Sequence, residues 1–206
     1  MRRDKREQFA VNSFKCASET IGEIKKDCHG FAITRGQFSM IDAILATLNQ
    51  LGPSHISVWT WTIADYEVQV FNRLIIDGRL LSARLMIDNG AQKKNYEMIK
   101  SFRNKFGKDS VRFVKNHAKI ARVWNDEFKV CLRGSFNLNF NPRFENFDWS
   151  EGGPAFELVE AIENDLPILP KDATTSEIYK ASGISDAFTE DQLSLFTDKK
   201  IKVWNK

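Results

Sequence analysis

The sequence predicts an α/β fold in which a mixed β-sheet is flanked by helices. Between residues 55 and 106, strand-like and helix-like segments alternate, and this order favours parallel strands joined by right-handed crossover helices. Two apolar runs on either side of 125–127 predict an antiparallel hairpin, which makes the sheet mixed. At 206 residues, with 42% hydrophobic residues and sixteen Phe, the chain has enough bulky material for one such domain.

The first 36 residues are expected to form an N-terminal helical arm, because apolar residues recur at helical spacing between residues 7 and 26. These residues are Phe9, Val11, Phe14, Ile21 and Ile24. A second helix is predicted to begin at a capping box formed by Ser39 and Asp42 and to end before Gly52.

A series of strands and helices is predicted from residue 55 to residue 133. Runs of β-branched and aromatic residues indicate strands, and apolar stripes at helical spacing indicate helices. Strands are predicted at 55–62, 80–87, 110–114, 117–124 and 129–133, and helices at 64–76 and 93–106.

Residues 150–206 are expected to form an acidic, helical C-terminal extension that packs on the preceding domain. Pro154 favours the start of a helix, because proline is well suited to the first helical position. Thr189 and Gln192 have the spacing of another capping box.

The charge is unevenly distributed, although the net charge is only +3. Ten Lys and Arg stand against two acidic residues between 93 and 122, whereas eleven Asp and Glu stand against two lysines between 151 and 198. A basic stretch suits a polyanion, since each neutralised phosphate adds salt-dependent affinity. A solvated face of a Lys-rich helix explains the same stretch. The acidic end is a candidate docking surface for a protein partner.

A cytoplasmic location is expected. No stretch approaches the roughly twenty apolar residues of a membrane span, and the N-terminus lacks the apolar core of a secretion signal. The three cysteines are scattered, which favours reduced thiols. No metal or cofactor is expected, because the chain has no paired Cys-x-x-Cys or His-x-x-x-His spacing.

His117 and Lys119 begin the region in which groups suited to phosphate chemistry cluster. Side chains two residues apart in a strand point to the same face, so a strand over 117–124 would place the imidazole beside the ammonium group. His117 can then act as a nucleophile, while Lys119 and Asn137 can donate to phosphoryl oxygens.

Further groups for the same chemistry follow the predicted hairpin. Gly134 lets the backbone approach an anion because it has no Cβ, and Ser135 adds a hydroxyl donor. Glu145 is expected to orient the imidazole, since a carboxylate on one ring nitrogen fixes which nitrogen reacts. Substrate contacts are expected at Gly134, Asn139, Asn141 and Arg143. For Arg143, a structural ion pair is an equal alternative.

These residues resemble the signature of the phospholipase D superfamily, His-x-Lys-x4-Asp-x6-Gly-Ser-x-Asn. The matching residues are His117, Lys119, Gly134, Ser135 and Asn137. Glu145 and Asn146 resemble the downstream Glu-Asn of the superfamily's small single-motif endonucleases. Trp124 stands where the family has its Asp, and Asp126 is the candidate replacement. Lys119 precedes Gly134 by fifteen positions, where the family pattern has twelve.

The resemblance implies that residues 37–149 form a phospholipase D-like catalytic domain. Because the family uses two motifs per active site and this chain has one, it also implies a homodimer. His117 of one subunit would then form a phosphohistidine, and the second copy would protonate the leaving oxygen.

The expected function is a metal-independent phosphodiesterase, namely a nuclease that cleaves DNA or RNA. The basic middle of the chain and the lack of an interfacial apolar helix favour nucleic acid over a lipid or membrane. A non-catalytic nucleic-acid-binding or protein-interaction module on the same scaffold is the alternative. Trp59 and Trp61 are expected to pack in the core, with a base-stacking platform as the other interpretation.

Overall fold

An eight-stranded mixed β-sheet flanked by helices organises the described part of the chain and confirms the predicted α/β class. The computed structural model describes residues 7–13, 15–61, 63, 65–88, 96–138, 142–169 and 173–183. The strands are β1 (Glu7–Asn12), β2 (Cys28–Thr34), β3 (Ser54–Thr60), β4 (Leu80–Asp88), β5 (Val111–Val114), β6 (Ile120–Trp124), β7 (Lys129–Gly134) and β8 (Glu145–Glu151). The α-helices are α1 (Ala17–Ile21), α2 (Met40–Leu51), α3 (Asp65–Ile76), α4 (Tyr96–Phe106), α5 (Pro154–Asp165) and α6 (Thr175–Ala181).

The strand order is β1-β2-β8-β7-β6-β3-β4-β5. Strands β3, β4 and β5 pair in parallel, as the alternation of strands and helices predicted. Strands β6 and β7 form the predicted antiparallel hairpin, with Ile120 opposite Arg133. The directions of the strands bring the ends of β2, β3, β4, β5 and β7 to the same side of the sheet as the starts of β6 and β8. This side is called the carboxyl edge below.

Helix α2 shows how local sequence sets an element boundary. The Ser39 backbone N and side-chain Oγ donate to Asp42 Oδ2 at 2.8 and 2.7 Å, so the predicted capping box is confirmed. The helix ends at Leu51, before Gly52 with its positive φ of 77°. Among the described residues, no helix is long and apolar enough to cross a membrane.

The predicted N-terminal helix over 7–26 is wrong, because β1 and the short α1 occupy most of this stretch. β1 pairs in parallel with β2 from Glu7 opposite Cys28 to Asn12 opposite Ile33, and this ladder satisfies the strand backbone. β2 in turn pairs with β8. The first 36 residues therefore contribute two strands to the same sheet that holds the later ones.

The two faces of the sheet have different chemistry because side chains alternate along each strand. One face is apolar and packs into a single core with α2, α3 and α4; its strand residues include Ile56, Val58, Leu85, Ile87, Ala121, Val123, Val130 and Leu132. On the other face Ser57 lies between Arg84 and Arg122 in the strand register. If this row of polar side chains is covered, it needs hydrogen-bond and ion-pair partners, because burying an unpaired charge is costly.

Helix α5 supplies that partner. It begins at Pro154 as predicted, and it buries Phe156, Val159 and Glu163, which follow one another at helical spacing. Glu163 is fully buried, and Arg122 is only 1% exposed. Leu158 and Ile162 of the same helix face outward, at 61% and 42% exposure.

The Glu163 carboxylate joins three strands. It accepts short hydrogen bonds from Arg122 and from the Ser57 hydroxyl, and a 2.8 Å bond from Trp59 Nε1. Arg84 Nη1 lies 3.4 Å from Glu163 Oε2. Arg112 donates to the carbonyl oxygen of Glu163 as well. Arg112 and Arg122 of the basic stretch therefore serve packing rather than an exposed polyanion surface.

Helix α6 completes the described C-terminal part. Thr174 and Glu177 form a capping box at its start, which the sequence interpretation had missed. The capping box predicted at Thr189 and Gln192 lies outside the described residues.

Replacing Glu163 with Gln is expected to lower the free energy of unfolding by about 3–5 kcal/mol, because Arg122 keeps its charge in a buried place without its main partner. Urea unfolding measures the loss. Glu160→Gln is the matched control: Glu160 also pairs with Arg122, but its side chain is 42% exposed, so a change of less than about 1 kcal/mol is expected. Equal losses in the two variants would contradict a special role for Glu163.

Candidate active site

The loop from Lys115 to Lys119 carries the His-x-Lys pair to the carboxyl edge. Strand β6 begins only at Ile120, so His117 and Lys119 are not strand residues. His117 is exposed, whereas Lys119 is buried with 8% exposure. The expectation that both side chains share one strand face is therefore wrong.

Asn116 explains why the strand starts late. Its Oδ1 accepts from Ala118 N at 2.8 Å, and its Nδ2 donates to Ala118 O at 3.3 Å. A short polar side chain that bonds the nearby backbone in this way competes with strand pairing. The turn moves His117 outward and Lys119 inward.

Asp88, at the end of β4, contacts the same loop through its carboxylate. Its carboxylate accepts from Asn116 N at 3.2 Å and lies 3.5 Å from Lys115 Nζ. Sequence reasoning missed both Asp88 and Asn116. A signal was present, since Asp88 closes a predicted parallel strand and the ends of such strands meet at one edge.

Lys119 is held close to the backbone of its neighbour. Its Nζ donates to His117 O at 2.6 Å. Burial lowers the pKa of Lys119 from the ordinary 10.5, and the negative charge of Glu145 opposes this change. The ammonium group is thus a partly desolvated cation near the nucleophile candidate.

The β6–β7 hairpin brings the two halves of the motif together. Gly134 N donates to Lys119 O at 3.2 Å, directly beyond the last paired residues. The fourteen residues between Lys119 and Gly134 form two strands and a turn. In the turn, Asn125 Oδ1 accepts from the N–H groups of Glu127 and Phe128. Although this spacing is longer than that of the family pattern, the hairpin still brings Lys119 and Gly134 together.

Gly134 is required by a close backbone approach. A Cβ at this position would lie 2.9 Å from the carbonyl oxygen of Asn146 in β8. The sequence interpretation reserved this space for an anion, but the neighbouring strand fills it.

Ser135 and Glu145 form a side-chain pair at the start of β8. The Ser135 hydroxyl donates a short hydrogen bond to Glu145 Oε2 and accepts from Asn146 N at 3.1 Å. Glu145 therefore does not orient the imidazole of His117 as expected. Within the described residues, that imidazole has no hydrogen-bond partner.

Asn137 joins the site to helix α2. Its carbonyl oxygen accepts from Met40 N, at the start of the helix, at 3.3 Å. Its side-chain Oδ1 is buried, and no donor among the described residues reaches it. A buried amide oxygen without a partner costs free energy, so this oxygen is a candidate acceptor for a bound group.

The remaining predicted site residues are less fully described. Arg143 is exposed and makes no ion pair with any described residue, so the structural alternative for it finds no support there. Asn139 and Asn141 lie outside the described residues. Asp126 is exposed in the hairpin turn, at the end of β6 far from Lys119, and so does not replace the family's Asp near the site.

Trp59 and Trp61 have different surroundings. Trp59 lies within β3 and donates to Glu163, as a structural residue does. Trp61 follows the end of the strand, is 49% exposed, and its ring centroid lies 5.6 Å from that of His117. The expectation that both pack in the core is therefore wrong for Trp61.

In the described ranges, no three His, Cys, Asp or Glu side chains are grouped as a metal site would require.

Replacing Lys119 with Met is expected to raise the urea midpoint at neutral pH. Because burial lowers the pKa of Lys119 in the folded state, the unfolded chain binds the proton more tightly than the folded chain does. The charged group therefore lowers stability at pH 7, and this penalty is lost as the pH rises through the folded-state pKa toward 10.5. The variant should therefore show a larger gain at pH 7 than at pH 10. Lys100→Met on the exposed face of α4 is the control, and an equal gain there would contradict the burial argument.

No protein-family model matches this chain, and no curated protein matches it.

Proposed function

We propose that the chain is a metal-independent phosphodiesterase of the phospholipase D type that cleaves DNA or RNA at a dimeric active site. The observation that carries the proposal is the convergence of the motif at the carboxyl edge. His117 is exposed, the buried ammonium group of Lys119 is bonded to the His117 carbonyl oxygen, and Gly134 N is bonded to the Lys119 carbonyl oxygen. The resemblance of the motif to the superfamily signature supports the same chemistry.

The proposed reaction has two displacements. His117 attacks phosphorus, the P–O bond breaks, and His117 of the partner subunit gives a proton to the leaving oxygen. Water then attacks phosphorus and gives its proton to the partner's His117, and the P–N bond breaks. Lys119 and the Asn137 amide hold the phosphoryl oxygens, which become more negative during each step.

The requirement for two copies follows from the single histidine at the site. Among the described residues, no second imidazole lies near His117. His55, for example, is bonded to Ser82 and stacks on Trp124, at the start of β3 and away from the carboxyl edge. A second subunit would provide the missing acid.

Cations around the carboxyl edge favour a nucleic acid as the substrate. Arg143 is exposed there, Lys115 is 39% exposed at its side chain, and Arg35 lies over the exposed ring of Phe144 at 4.9 Å. Neighbouring phosphates of a polynucleotide can be bound by such spaced charges, and each contact adds salt-dependent affinity.

Two observations favour a non-catalytic nucleic-acid-binding protein as a second candidate. Lys119 Nζ is bonded to its own chain at His117 O, and Trp124 stands in place of the family's Asp. A site arranged in this way could hold a phosphate without cleaving it.

Replacing His117 with Ala is expected to reduce cleavage of a polynucleotide in EDTA by about 10³-fold or more, because the nucleophile is removed. Binding, measured by fluorescence anisotropy in parallel, should change little. His29→Ala is the matched control, since His29 lies near the start of β2, away from the carboxyl edge. Tight binding by the wild-type protein with no cleavage at all would instead support the non-catalytic candidate.

A mixed dimer tests the shared site. Two differently tagged copies, one wild type and one with His117→Ala, are co-expressed and the mixed dimer is isolated through both tags. Its cleavage rate is expected to fall as far as that of the doubly substituted dimer, because each site needs both imidazoles. Half of the wild-type rate in the mixed dimer, or full activity in a monomer, would contradict the proposal.

A further inference from the structure

Trp61 is an exposed aromatic residue beside His117, the candidate nucleophile. It lies one residue beyond β3, and 49% of its surface is exposed. Its ring centroid is 5.6 Å from that of His117, with 56° between the ring planes. Within the described residues, the indole N–H has no acceptor.

The contrast with other aromatic residues makes this placement informative. Trp59, two residues earlier, is half-buried and donates to Glu163. Phe144 is also exposed near the carboxyl edge, but Arg35 lies over its ring. Trp61 combines a half-exposed ring with contact to the imidazole of His117.

A flat ring in this position suits a nucleobase next to the scissile phosphate. Bases stack on aromatic side chains with little sequence preference, because every base has a π-face. In a duplex the bases are already stacked on one another, and bringing one onto a protein side chain costs unstacking and unpairing.

We propose that Trp61 forms a base-stacking subsite and that the site therefore takes single-stranded nucleic acid, with the base beside the scissile phosphate resting on the indole. This inference rests on the proposed function, since it places the base relative to the phosphate that His117 attacks. Trp61 is a specificity-determining residue here and takes no part in the proton or phosphoryl transfer.

The test compares strands that differ only in their bases. One is a single-stranded oligonucleotide, in DNA and RNA forms of the same sequence, and the other is an abasic strand with the same phosphodiester backbone. The wild-type protein is expected to cleave the base-bearing strand about 10- to 100-fold faster in kcat/KM than the abasic strand. A duplex of the same sequence should be cleaved more slowly than the single strand.

Trp61→Ala should lower kcat/KM on the base-bearing strand far more than on the abasic strand, so that the preference between the two strands is lost. Trp61→Phe should retain most of the preference, because the ring remains. Phe31→Ala is the matched control, since Phe31 is 39% exposed in the middle of β2. Equal losses on both strands in Trp61→Ala would show that the indole only positions His117, and would overturn the subsite.

The subsite and the proposed function fail in different ways. If no strand is cleaved by the wild-type protein, the nuclease proposal fails, and stacking is judged from binding. Quenching of tryptophan fluorescence by the base-bearing strand, absent for the abasic strand and absent in Trp61→Phe, would support the subsite. Equal binding of all strands by wild-type and Trp61→Ala protein would overturn it.

Discussion

The buried ion pair between Glu163 and Arg122 is the interaction on which the arrangement of the sheet depends. It couples helix α5 to β6, and through Ser57 and Arg84 it reaches β3 and β4. Strand β6 leads directly from the loop that carries the candidate nucleophile. The buried ion pair on the polar face of the sheet therefore fixes β6, which begins directly after Lys119.

The carboxyl edge is assembled from several strand ends rather than from one segment. Asp88 of β4 supports the loop through Asn116, and the hairpin brings Gly134 to Lys119. Glu145 reaches the site only because β8 lies beside β7. This arrangement resembles α/β proteins in general, in which side chains at strand ends converge because the sheet holds the strands in register.

Periodic patterns were enough to predict α2, the parallel strands and the β6–β7 hairpin, because each of these elements carries its signal within its own sequence. The strand β1 was missed because six residues with imperfect helical spacing are held as a strand by distant pairing with β2. For the site, residue types were predicted but their orientation was not. The Asn116 turn replaces the strand geometry on which the shared face of His117 and Lys119 depended. The burial of Glu163 has a signal in the sequence, because Glu163 follows Phe156 and Val159 at helical spacing. An acidic residue on the apolar side of a helix is easily taken for a surface residue, and its role was therefore not predicted.

The pairing of β2 with β8 also has a consequence for the order in which the molecule is built. Thr34 lies opposite Glu145, across 111 residues of chain. During synthesis, β2 therefore cannot pair with β8 until the chain has been made as far as β8. Long-range pairing of this kind slows folding, because the loop must close before any contact stabilises it. Glu145, which is bonded to Ser135 beside the candidate site, belongs to the last of the described strands. The candidate site is therefore formed only after β8 has taken its place between β2 and β7.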